Sequence, residues 1–189
     1  MRGYSSEMRV PGASLLWGLA LVAVSVAFSL GLACAVPLAA FAAIAVLTGN
    51  RAEALFLIAA VFLTNQCIGF GLLHYPLTVD TFAWGGVLGL VSVAAVFGAE
   101  WARDRLSGMG RVLSACTVFL AAFALYEGLL FLVTAISGSG FEAYTAPVVA
   151  RVFFINVAAF AGLLVLHRLA IAVGLASPPT PRLMAQGSV

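Results

Sequence analysis

Lysine is absent from this sequence; all nine basic residues are arginine. Charge of either sign is scarce: Asp, Glu, Lys and Arg make up 8% of 189 residues, against 63% hydrophobic. A soluble domain needs roughly a quarter of its residues charged to present a wetted surface. This chain cannot cover such a surface, so its apolar side chains must face lipid as well as one another. The net charge of +2 is too small and too scattered for a nucleic-acid surface. Cysteines number three, Cys34, Cys67 and Cys116, widely spaced within apolar runs. That odd count makes neither a disulfide framework nor a zinc site, and the residues read as small buried hydrophobes. The two histidines, His74 and His167, fall at opposite ends of the expected membrane, so a bis-histidine haem has no ligand pair. There is no H-E-x-x-H, no pair of aspartates, no Ser–His arrangement and no glycine-rich phosphate loop after a strand. The sequence therefore predicts a protein that is not an enzyme and carries neither metal nor cofactor.

What is present is apolar sequence in long blocks. The run from Gly12 to Thr48 contains no charge and is too long for one helix across a core ~30 Å thick. Pro37 offers the break, because proline removes a helix donor and restricts the residue before it. The expected spans are 12–33, 37–49, 54–74, 81–99, 112–136 and 147–168. A Gly49-Asn50-Arg51 turn, an interfacial connection His74–Asp80, a polar loop Glu100–Arg111 and a Ser137-Gly138-Ser139-Gly140 turn separate them. Pro147 stands at a first-turn position that favours proline. The fold class is thus an all-α polytopic membrane bundle of six transmembrane helices. A cytoplasmic segment 1–11 precedes the transmembrane domain 12–174, and a proline-containing disordered tail 175–189 follows it. Ala33-Cys34-Ala35 has the small residues of a signal cleavage site, but the apolar stretch before it exceeds the 7–15 residues of a leader.

Arginine placement sets the orientation. With the N-terminus inside, Arg2, Arg9, Arg51, Arg103, Arg105, Arg111, Arg168 and Arg182 are cytoplasmic and only Arg151 lies outside. Both termini are then cytoplasmic. The alanine-rich, arginine-only usage points to a GC-rich bacterial source and hence an inner (plasma) membrane.

Glu127 is the single acidic residue within an expected span. A carboxylate near mid-membrane costs ~2.5–3.5 kcal/mol on insertion scales, so it must face a cavity or a partner. It reads either as a functional group or as a protonated glutamic acid hydrogen-bonded between helices. Asn65 and Gln66 in span three and Asn156 in span six have two readings as well. They are an interhelical hydrogen-bond clamp of ~0.6–2 kcal/mol, or the polar lining of a ligand pocket. In the six-span arrangement these groups gather in the outer half, flanked by Asp80, Trp84, Glu142, Tyr144 and Arg151. Arg151 is placed to pair with Glu127. Trp84, Tyr126 and Phe131 are the expected apolar walls of the pocket. In the first hairpin Ala23, Ala27, Gly31, Ala35, Ala39 and Ala43 recur every four residues, a seam for packing within the bundle or for docking another membrane subunit.

This layout resembles the substrate-binding S components of energy-coupling factor vitamin transporters, six-span proteins of about this size. The resemblance implies a pocket toward the outer face built from Asn65, Gln66, Glu127 and Asn156. It also implies docking to a transmembrane coupling subunit through Ala23, Ala27 and Gly31, with energy from a separate ATPase. The function expected is therefore a membrane-embedded binding and transport subunit for a small molecule such as a vitamin. A proton- or ion-coupled secondary transporter using Glu127 and a non-transporting assembly partner are the alternatives.

Overall fold

A computed structural model describes residues 11–32, 36–105 and 110–176. Residues 1–10, the cleavage-like segment 33–35 with Cys34, and the tail from 177 onward lie outside the described residues. The described residues form six α-helices, in order α1 Pro11–Leu32, α2 Leu38–Thr48, α3 Arg51–Gly71, α4 Val79–Arg105, α5 Arg111–Ser137 and α6 Ala146–Ala172. A 3₁₀ turn, Phe141–Tyr144, precedes α6. Among the described residues there is no β-strand.

The ends of these helices follow from local chemistry. Pro11 opens α1, and Pro147 occupies the first turn of α6, where a missing N–H costs nothing. A capping box opens α3: Asn50 accepts from the Glu53 N–H while the Glu53 carboxylate accepts from the Asn50 N–H. Gly138 (φ 68°) and Gly140 (φ 86°) take the left-handed conformations that end α5 and start the 3₁₀ turn.

Five of the helices are long and apolar enough to cross a membrane, and α2 is not. Its 11 residues span about 16 Å, roughly half of a hydrocarbon core. The second expected span is therefore a half-length helix, bounded by Pro37 and by Gly49-Asn50. Every residue from Leu38 to Val46 is buried, and a helix apolar on all sides belongs in an interior. Its composition allows this, because the alanines Ala39, Ala40, Ala42, Ala43 and Ala45 let neighbouring backbones close in from several directions. Helices α3, α4, α5 and α6 all pack on α2, and α4 also packs extensively on α5. Helix α1 lies along α3 and reaches α2 through Trp17, whose Nε1 donates to Thr48 Oγ1 at 3.1 Å, and through Phe28 edge-on to Phe41.

Cross-contacts fix which ends lie together. Trp17 meets Thr48 and also the ring of His167, at 4.9 Å. Arg51 pairs with Glu100, and Arg103 bonds to Val46. The start of α1, the end of α2, the start of α3 and the ends of α4 and α6 thus share one arginine-rich end. Helix α2 fills the half of the bundle at that end. The far half is packed differently: none of the residues 146–155 of α6 is buried, whereas Asn156, Ala159, Phe160, Leu163, His167 and Ala170 are. Beyond Tyr126, Thr134 is the one buried residue of α5.

Candidate ligand site at the far end of the bundle

The three amides expected in a pocket turn toward the protein itself. Pro37 at the N-cap of α2 offers no side-chain acceptor, and this helix begins inside the bundle. Asn156 of α6 supplies the acceptor from outside the helix: its Oδ1 receives the Ala40 N–H at 3.2 Å, and its Nδ2 donates to Val152 O at 3.0 Å. The residue is 2% exposed. Asn65 of α3 donates to Ser29 Oγ of α1 at 3.2 Å, and Gln66 Nε2 reaches Asn65 Oδ1 at 3.5 Å. Asn65 thus clamps α3 to α1, while Gln66 bonds within its own helix and its amide lies over Gly85 of α4. The other end of α2 is closed by Arg103, whose Nη1 donates to Val46 O at 2.9 Å while Asp104 accepts from its Nε and Glu100 forms an ion pair with it. A cation at a helix C-terminus complements the dipole there. The half-helix is therefore held at both ends by side chains of its neighbours.

A second set of residues converges farther from the arginine-rich end. Glu127, Phe131 and Thr134 fall on one stripe of α5, at spacings of four and seven residues. Over that stripe lies Tyr144 from the 3₁₀ turn, its ring edge-on to Phe131 at 5.2 Å. Burial pushes the Tyr144 phenol above its usual range, the Glu127 carboxylate adds to this, and a hydrogen bond with Thr134 opposes it. Trp84 of α4 closes the group: a Cβ placed on Gly140 would lie 3.6 Å from its ring and 3.7 Å from Thr134 Oγ1. Tyr126 is buried beside Glu127, which is itself only partly covered. The structure thus gathers Glu127, Tyr126, Phe131 and Trp84 and adds Thr134 and Tyr144. Arg151 is not part of this group: it is exposed, and among the described residues no ion pair joins it to Glu127.

Thr134 escaped the sequence reading, although its signal was available seven residues after Glu127 on the same helical face. Chemically, the cluster offers one carboxyl group, three hydroxyl-bearing side chains and several aromatic faces, a combination suited to binding and orienting a ligand. Among the described residues no group of three or more metal-ligating side chains is found.

The small-residue seam divides in two. Ala39 and Ala43 are fully buried in α2. Ala23, Ala27 and Gly31 lie on the exposed face of α1, with Leu16, Leu19 and Leu30 around them. The buried face of α1 is instead Trp17, Leu21, Ser25 and Ser29, also at four-residue spacing. The chain matches no protein-family profile, no curated protein and no solved structure, so the functional reading rests on the arrangement of its own residues.

Proposed function

We propose that this chain is an integral-membrane subunit that binds a small nutrient molecule, of the vitamin class, at the far end of the bundle and takes part in its transport. The observation that carries this reading is Glu127. It is a partly buried carboxyl group within a span, grouped with Tyr126, Phe131, Tyr144 and Trp84, and it makes no ion pair among the described residues. Intramembrane acids are costly to retain and mark ligand or ion sites. Aromatic faces beside a carboxyl group suit a ring-bearing ligand with a donor or cationic group. On the arginine bias, this end faces outward.

The packing supports binding over free passage. Helix α2 fills the arginine-rich half with residues Ala39–Ile44 at 0% exposure. Energy would then come from a separate ATPase through a transmembrane coupling subunit. The exposed face with Ala23, Ala27 and Gly31 supports a docking role for α1, since small residues let helices approach closely in lipid.

Uptake into sealed vesicles tests the reading. ATP-dependent accumulation that requires partner subunits, and that falls in Glu127→Gln, is the expected result. Accumulation driven by a proton gradient without ATP would instead make this chain a secondary transporter with Glu127 as its titrating group. A stoichiometric protein partner with no transported molecule would make it an assembly factor.

A further inference from the structure

On the lipid-facing side of the arginine-rich half, α4 and α5 leave a groove of about 600 Å³ between them. It is lined by Phe97, Gly98, Trp101, Ala121, Ala124 and Leu125. Its floor exists because Gly98 has no side chain: a Cβ there would come within 2.9 Å of Leu125 and 3.4 Å of the Ala121 carbonyl. Its walls are two aromatic rings, and each carries an arginine. The Arg51 guanidinium stands 4.7 Å over Phe97, and that of Arg105 stands 5.6 Å over Trp101. Arg51 pairs with Glu100, and Arg103 with Glu100 and Asp104, whereas Arg105 forms no ion pair among the described residues. An apolar groove thus runs toward a rim whose three arginines outnumber its two acids, at the level where headgroups lie.

We infer that this groove is a binding site for an anionic phospholipid, one acyl chain lying along Gly98 and Ala124 and the phosphate held by Arg105 and Arg51. The charge at the rim selects the headgroup, because juxtamembrane arginines attract anionic lipid and basic sites between spans hold such headgroups. Planar guanidinium groups bind phosphate oxygens in pairs, and their stacking on Phe97 and Trp101 fixes their position before lipid arrives. The arginine rim lies at the other end of the bundle from Glu127, whereas the slot reaches Leu125, two residues before Glu127 on α5; the inference does not rest on the ligand proposed there.

The test is retention of added lipid by the full-length protein in mild detergent, read by native mass spectrometry. Phosphatidylglycerol and phosphatidylcholine with identical chains serve as probes. The expected result is one tightly held phosphatidylglycerol, a preference that Arg105→Gln reduces about fivefold. Ala124→Phe, which fills the slot from an exposed position, removes tight binding of both lipids. Equal retention of the two lipids by the unaltered protein overturns the inference. So does a preference that neither variant changes. A benzoylphenylalanine at position 124 that captures a second copy of the chain or another protein in native membranes overturns it too.

Discussion

Replacing Asn156 by leucine isolates the contact on which α2 depends. The amide accepts the Ala40 N–H at 3.2 Å in a buried setting, at the start of a helix whose N-cap is proline. Leucine nearly conserves volume, so the cost of altered packing stays under about 1.5 kcal/mol. The lost acceptor is the larger effect. An N–H left without a partner costs about 1–3 kcal/mol in a protein interior, and lipid offers no water to replace it. The second bond, from Asn156 Nδ2 to Val152 O, adds little, because that carbonyl keeps its own helical partner. A total near 2–3 kcal/mol is expected. Reversible unfolding of the purified protein in mixed micelles measures it, and hydrogen exchange at Ala40 localises it. A loss below about 0.5 kcal/mol, with exchange at Ala40 unchanged, would refute the capping role. Loss of ligand with stability intact would return Asn156 to the binding site.

Four further substitutions test the same description. Arg103→Gln weakens the charge-assisted contact with the C-terminal carbonyl of α2 and should cost about 1–2 kcal/mol in the same unfolding measurement. Gly69→Ala forces a Cβ to 2.5 Å from the Tyr75 ring and should cost about 1–3 kcal/mol. Gly128→Ala meets nothing within 4 Å and should instead stabilise by about 0.5–1 kcal/mol, so equal behaviour of the two glycines would contradict the packing. Tyr144→Phe removes a hydroxyl that bonds to Thr134 and should weaken ligand binding several-fold while leaving the unfolding midpoint within about 0.5 kcal/mol.

Much of the fold was legible because lipid imposes a simple rule on sequence: long uncharged runs become helices. The break at Pro37, the turn at Gly49-Asn50 and the glycine turn after Ser137 all fell near their expected places. The bounds 37–49 already made α2 short, but the sequence reading counted it as a sixth transmembrane helix, whereas its 11 residues reach only about halfway across. Its burial on every side follows from tertiary packing, which alanine permits without specifying. The same limit explains the amides. Asn65 and Asn156 read as clamp or pocket, their depth favouring the pocket, and only the positions of Ser29 and the Ala40 N–H show that their polar atoms are engaged by the bundle. Glu127 was conspicuous as an acid within a span, whereas Thr134 was one hydroxyl among many until Tyr144 and Trp84 were placed beside it. Arg103 read as part of an orientation signal, and its bond to Val46 required knowing where α2 ends.

The central claim is that the far end of the bundle binds a small molecule through Glu127. Native mass spectrometry of the protein from its own host, gently solubilised, tests it most directly. The account predicts a discrete extra mass of small-molecule size on the unaltered protein, absent from Glu127→Gln at an unchanged unfolding midpoint. A bare mass for both proteins, each accompanied by a stoichiometric protein partner, would contradict it.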